Sequence, residues 1–262
     1  MLTARPPNAS PPMGQTPLPH KPTVAITGAS GALGQALIRA WHGRGARVIA
    51  LTSRDQPLTV MDSSGQAIPL EQVLWQVGEE QALAPVLARV DVLVLNHGTN
   101  PHRDRSAMAT AQALEVNALS SWRLVELFAD LASQREGTLQ REGALQPEVW
   151  INTSEAEIQS ALSPLYEISK RLLGQLISLR ALDWSSGAHP IRVRRLVLGP
   201  FRSALNPIGV MGADFVAHQV LNQAQWGCNL IIVTPNPLTF VLMPLATLGR
   251  WVYGSLTSSR QT

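Results

Sequence analysis

The 262-residue chain is 45% hydrophobic and 15% charged, a composition that buries a core in one or two domains and excludes a disordered or coiled-coil protein. Its 21 basic and 18 acidic side chains leave +3, and the excess is scattered rather than gathered into a stripe, so nucleic acid is not an expected partner. Only Lys21 and Lys170 are lysines, and the single Cys228 excludes an intrachain disulfide framework and a thiolate metal site.

Residues 1–22 contain seven prolines and few apolar anchors, which predicts a disordered tail outside the fold. From Thr23 short apolar runs alternate with longer periodic segments, the rhythm of an α/β fold with a doubly wound parallel sheet of about seven strands and helices on both faces. Strands are expected over Thr23–Thr27, Arg47–Thr52, Val73–Val77, Asp91–Leu95, Val149–Thr153, Ile191–Leu198 and Leu230–Val233. Helices are expected over Ala32–Gly43, Glu79–Arg89, Met108–Asn117, Ser121–Arg135 and Tyr166–Trp184. Asp55–Gln72, broken by Pro57, Gly65 and Pro69, reads as surface chain, as does the polar stretch Glu136–Glu148.

The first strand runs directly into Gly28, Ser30, Gly31, Leu33 and Gly34 at the start of a helix. In that setting Gly28 allows the turn, Gly31 close approach of a pyrophosphate, and Gly34 close packing of helix on strand, while the helix N–H groups attract phosphate. After the second strand, Ser53 stands where NAD would need an acid for its ribose hydroxyls, and Arg54 offers a cationic fork for a 2′-phosphate. NADP(H) is therefore the expected cofactor and NAD(H) the alternative. Asn96 and Gly98 end the fourth strand as a tight wall beside the nucleotide, with His97 expected to cap the turn.

Ser154 follows the strand Val149–Thr153, and Tyr166 and Lys170 share one face of the next helix. Such a trio suits carbonyl reduction without a metal. Tyr166 supplies a proton, Lys170 eases formation of its phenolate, and Ser154 orients the carbonyl oxygen. Asn117 is a candidate for exposing a helix carbonyl or holding water that relays protons to Lys170. Thr153, thirteen positions before Tyr166, is a rival for the serine role.

Thr27-Gly-Ala-Ser-Gly-Ala-Leu-Gly34, Asn96-His-Gly98, Asn117, Ser154 and Tyr166-Glu-Ile-Ser-Lys170 together resemble the short-chain dehydrogenase/reductase family over residues 23–234. The resemblance implies a Rossmann-type sheet, nicotinamide-dependent oxidoreduction and the tetrad Asn117, Ser154, Tyr166 and Lys170. It also implies that Gly199 and Ser203, in Leu198-Gly-Pro-Phe-Arg-Ser203, seat the nicotinamide half, with Leu198 where the family often has proline. Ala32 replaces a common glycine, His97 a small residue, and Val77-Gly-Glu79 lacks the aspartate often set beside adenine. A narrower resemblance is to the dehydrogenase portion of cyanobacterial sterol desaturase/short-chain dehydrogenase proteins, although no desaturase histidine cluster occurs here.

Ser203–Ala224 is expected to form a flexible pocket wall whose apolar residues favour a small apolar carbonyl or alcohol. Positions 219–249 carry no Asp, Glu, Lys or Arg, and prolines interrupt the apolar run, which argues against a spanning helix. Residues 235–262 are thus an extension that covers substrate, joins subunits of a homo-oligomer or lies on a membrane surface, and the expected location is cytoplasmic. A nucleotide-binding scaffold with little turnover is the competing reading.

Overall fold

The computed structural model describes residues 21–139, 146–183 and 191–258. Its strands are β1 (Thr23–Thr27), β2 (Arg47–Thr52), β3 (Leu70–Leu74), β4 (Val92–Leu95), β5 (Glu148–Ser154), β6 (Arg192–Leu198) and β7 (Leu230–Val233). They form one sheet in the order β3-β2-β1-β4-β5-β6-β7, every pairing parallel. Both faces are covered, which is why the central strands read as continuous apolar runs. In β1, Val24 and Ile26 enter one core and Ala25 the other, following the two-residue alternation of a strand.

The first core lies under α1 (Ala32–His42) and α6 (Ala213–Gln225), with Leu37, Val216, Val220 and Leu221 buried. The second lies under α2 (Ala84–Leu87), α4 (Ser120–Leu139) and α5 (Pro164–Asp183), through Leu87, Leu124, Phe128 and Leu173. This is a Rossmann-type doubly wound fold. The strand order reverses between β1 and β4, and their carboxyl ends therefore border a crevice. α3 (Ala107–Leu114) passes into α4 through a π turn over Glu115–Leu119.

Several sequence expectations need correction. The third strand is Leu70–Leu74, not Val73–Val77: Pro69 precedes an edge strand, where no ladder donor is lost, and the chain turns at Gly78 with φ +100°. The stretch Asp55–Gln72 is not all surface, since Val60 and Ile68 are buried and Met61 bridges Ala67. Glu79–Arg89 is only a 3-10 turn (Glu80–Leu83) and the single-turn α2. Ser203–Ala224 is not a flexible wall throughout, because α6 occupies its second half and packs on α1.

Beyond β7, α7 (Thr239–Ser258) forms despite Pro244 inside it, with Met243 packed on Val197 and Ile232. The expected tail at 1–20, most of the polar stretch after Leu139 and the end of the fifth helix at Trp184 lie outside the described residues.

Gly28 takes φ +61°, and a Cβ on Gly34 would stand 2.3 Å from the Gly28 carbonyl oxygen and 2.8 Å from Ala29 Cα. Those are backbone atoms and cannot yield cheaply. Gly34→Ala is expected to lower stability by about 1–3 kcal/mol, read as a lower urea midpoint with an unchanged denaturant slope.

Candidate active site

The crevice opens into a cleft of about 1200 Å³ that reaches from Arg54 past the glycine turn to Tyr166 and the loop Phe201–Val210. At one end, Gly31 caps α1 with no side-chain hydrogen bond, and Gly31, Ala32 and Leu33 line the cleft. The first N–H groups of a helix lack partners within it, so this end offers donors and a positive dipole end to an anion. A Cβ on Gly31 would stand 3.3 Å from the Gly28 carbonyl oxygen, a tight contact within the turn that glycine avoids.

Ser53 and Arg54 lie exposed on the rim beyond β2, with Arg54 in no ion pair among the described residues. The Arg54 N–H is held by Thr52 Oγ1 at 3.1 Å. Ser30, Asn96, Gly98, Gly199 and Ser203 also line the cleft. Gly34 does not; it sets the helix–strand contact instead.

At the other end, Ser154 closes β5, and its Oγ accepts the Ala156 N–H at 3.2 Å, capping a 3-10 turn over Glu155–Glu157. Tyr166 and Lys170 sit one turn apart near the start of α5. The Lys170 Nζ is 5.7 Å from the Tyr166 ring centroid and donates to the Asn152 carbonyl at 2.9 Å. Burial brings the Lys170 ammonium down to about 8, with the Glu157 carboxylate pulling the other way. Burial also raises the Tyr166 phenol above its ordinary range; a hydrogen bond from Ser154 opposes this, and the Glu155 charge adds to it. Of the two hydroxyls that the sequence leaves open, Ser154 reaches the phenol, whereas Thr153 Oγ1 donates to the Leu196 carbonyl at 3.2 Å.

Asn117 lies behind the cleft, fully buried in the π turn. Its Oδ1 accepts the Thr99 N–H at 2.7 Å, and its Nδ2 donates to the Thr99 carbonyl and to Ser169 Oγ, both at 2.9 Å. Ser169 Oγ in turn donates to the Tyr166 carbonyl at 2.8 Å. Asn117 therefore ties the loop after β4 to the helix bearing Tyr166, and among the described residues it makes no direct bond to Lys170.

Sequence reasoning passed over Asn152, whose carbonyl receives Lys170 and whose amide donates to Asn96 Oδ1 at 3.0 Å. A backbone carbonyl carries no residue-type signal; only the position of Asn152 near the end of β5 could have pointed to it. Thr27 was also missed. Its Oγ1 accepts the N–H groups of Asn96 at 2.9 Å and His97 at 3.2 Å, joining the ends of β1 and β4.

His97 packs edge-on to Trp75 at 5.3 Å between centroids, and its Nδ1 meets Thr27 Oγ1 at 2.8 Å. Burial, reinforced by the Lys170 charge, holds the imidazole down at about 4. It is a neutral structural ring at ordinary pH. Among the described residues no group of His, Cys, Asp and Glu is arranged to hold a metal ion.

With this geometry in place, the likenesses to known proteins become specific. Residues 24–139 match the NAD dependent epimerase/dehydratase family. The chain is 44% identical over 222 residues to a monoglucosyldiacylglycerol epimerase of Synechocystis, an alignment covering 85% of this chain and 51% of that protein. It thus spans about half the length of that relative. The fold resembles a short-chain dehydrogenase from Burkholderia cenocepacia crystallised with NADP, with a TM-score of 0.68, 15% identity and coverage of 88% of this chain and 97% of the other. It also resembles an oxidoreductase of the short-chain dehydrogenase/reductase family from Burkholderia thailandensis, with a TM-score of 0.63, 22% identity and coverage of 82% and 92%. Over residues 24–139 the chain is thus similar to the epimerase/dehydratase family, and in fold to short-chain dehydrogenases.

The lowered His97 pKa has a definite sign. In the unfolded chain the ring takes up a proton as pH falls through 6.5, and the native ring refuses it down to about 4, so native stability declines across that window and levels off below it. His97→Asn is expected to lose less stability than the parent between about pH 7 and pH 4.5, measured by urea unfolding at both values.

Proposed function

We propose that this chain oxidises and re-reduces a secondary hydroxyl on the hexose of a membrane glycolipid, inverting the carbon that bears it, with a nicotinamide dinucleotide as redox partner. The observation carrying this reading is that Ser154, Tyr166 and Lys170 meet at the end of β5 in the same cleft as the glycine turn. The likeness to an enzyme named for the epimerisation of monoglucosyldiacylglycerol supports the substrate class. The narrower expectation of a small apolar carbonyl is replaced by a sugar near Tyr166, with lipid tails against Leu205, Ile208 and Val210 in the cleft wall.

The residues fit the dinucleotide. The glycine turn and the start of α1, with Gly28, Ser30, Gly31 and Leu33, would hold the diphosphate, and Asn96 and Gly98 would border the ribose. Lys170, Gly199 and Ser203 would flank the nicotinamide half. Ser53 supplies no carboxylate for a 2′-hydroxyl, and Arg54 supplies a planar cation for a 2′-phosphate, which favours NADP(H). When bound, this group accepts and returns the hydride.

The chain's own part is proton transfer and orientation. Ser154 donates to the reacting oxygen and holds it beside the phenol. Tyr166, as phenolate, removes the hydroxyl proton during oxidation and, as phenol, returns it during reduction. The Lys170 ammonium lies close enough to lower the cost of the phenolate, and the Asn152 carbonyl fixes where that charge stands. The planar ketone must present its second face before re-reduction, so inversion requires room to turn, which a cleft of about 1200 Å³ provides.

The test is incubation with monoglucosyldiacylglycerol and catalytic NADP⁺, followed by analysis of the released hexose. The expected product is the epimer with no net change in cofactor; stoichiometric cofactor consumption without inversion would leave a simple oxidoreductase in its place. Tyr166→Phe should lower turnover by about 10²- to 10⁴-fold while cofactor binding is kept. The parent is expected to bind NADPH more tightly than NADH, and Arg54→Ser to remove most of that difference by titration calorimetry; equal affinities in the parent would overturn the NADP assignment.

A further inference from the structure

α7 starts beside the loop that follows Ser154, where Gln159 Nε2 donates to Thr239 Oγ1 at 2.8 Å, and it then packs against α5. Its inward residue Met243 is buried, but Phe240, Val241, Leu242, Leu245, Leu248 and Val252 are between 41% and 59% exposed. A helix face turned to water ordinarily carries charge. Here Thr239–Gly249 has none, and Arg250 turns inward to within 3.7 Å of the buried Glu157. Among the described residues no helix is long and apolar enough to cross a membrane.

Between this helix and the sheet lies a second cavity of about 370 Å³, separate from the cleft. Leu230, Leu248 and Trp251 line its apolar part, and Arg195, Ser178 and Arg250 its polar part. Arg195 is 6% exposed, and its Nη2 donates to the Gly174 carbonyl and Ser178 Oγ, both at 3.0 Å. Arg195 Nη1 and Arg250 Nη1 reach one oxygen of Glu157, at 3.5 Å and 3.7 Å. Two guanidinium groups, one buried and one partly exposed, thus share one buried carboxylate, leaving one positive charge in excess. Burial lowers the Arg195 pKa, the Glu157 carboxylate opposes this, and the neighbouring Arg250 charge adds to the lowering. Among the described residues Arg250 is engaged through Nη1 alone, by Ser178 and Glu157.

We propose that the outer face of α7 docks on a lipid bilayer and that this cavity receives the acidic headgroup of an anionic membrane lipid, Arg250 meeting the acid and Leu248 and Trp251 the first part of its chains. An amphiphile matches both halves of the site: a cationic recess lined partly by hydrocarbon and bordered by an uncharged apolar helix face. A helix lying flat with one side in the headgroup region needs that side free of charge. A second copy related by a two-fold axis over the same face would bring the surplus charges of both copies together, which disfavours that occupant.

The experiment is flotation of the full chain with vesicles of phosphatidylcholine alone and with about 30% phosphatidylglycerol. At least about fivefold more protein should float with the anionic vesicles, and Arg250→Gln should bring that binding down to the phosphatidylcholine level. Leu245→Glu should weaken binding to both. A short-chain phosphatidylglycerol, soluble below its micelle concentration, should raise the melting temperature of the unaltered protein, whereas the matching phosphatidylcholine should not. Equal flotation with both vesicles, or full binding by Arg250→Gln, would overturn the headgroup site. Absence of flotation together with a dimer that Leu245→Glu dissociates would make the face a contact between copies. The vesicles hold neither glycolipid nor dinucleotide, so failure here leaves the catalytic reading standing.

Discussion

The near-contact of α1 with the turn after β1 governs the arrangement of the molecule. Gly34 lies so close to the Gly28 carbonyl that no side chain fits between them, and Gly28 itself takes a left-handed conformation. This brings the start of α1 directly to the end of β1, beside the place where the strand order reverses. Thr27 joins that turn to the end of β4 by accepting two backbone N–H groups. The nucleotide end of the cleft is therefore made mainly of backbone held in place by small residues. The chemical end is made of side chains on β5 and α5, and the two ends share one floor because parallel strands finish on the same side.

The charge balance at the chemical end follows from burial. Lys170 sits among groups that cannot hydrate it, and a carbonyl of β5 and the carboxylate of Glu157 are what keep an ammonium there tolerable. Glu157 can lie against α5 because position 174 is glycine: a Cβ there would stand 1.9 Å from a carboxylate oxygen. The same carboxylate holds Arg195 and Arg250, so the surface helix α7 and the loop after Ser154 meet at one buried anion.

Much of this was legible in the chain because spacing and chemistry coincide. A strand, three glycines and a helix in immediate succession leave few alternatives, and Tyr166 and Lys170 one turn apart carry the same information in either direction. Six of the seven strands were read to within a residue at each end, since buried parallel strands are unbroken apolar runs. The edge strand was misplaced because exposure on one side dilutes its pattern: Glu71 and Leu74 are exposed. α6 and α7 were not read as helices because their apolar residues suited a pocket or a membrane as well as a core, and because Pro235, Pro237 and Pro244 looked like interruptions. The choice between Ser154 and Thr153 needed the register of β5 against β6, which sequence alone does not contain.

The π turn between α3 and α4 shows what one surplus residue can do. Had the helix continued with ordinary winding, every side chain after Leu114 would be rotated by roughly 100° about the axis. With the extra residue taken up at Glu115–Leu119, Asn117 faces the neighbouring helix while Leu124 and Phe128 still face the sheet. A single-residue deletion in this turn would thus do more than shorten a helix: it would set the polar tether and the greasy underside of α4 in competition for the same direction.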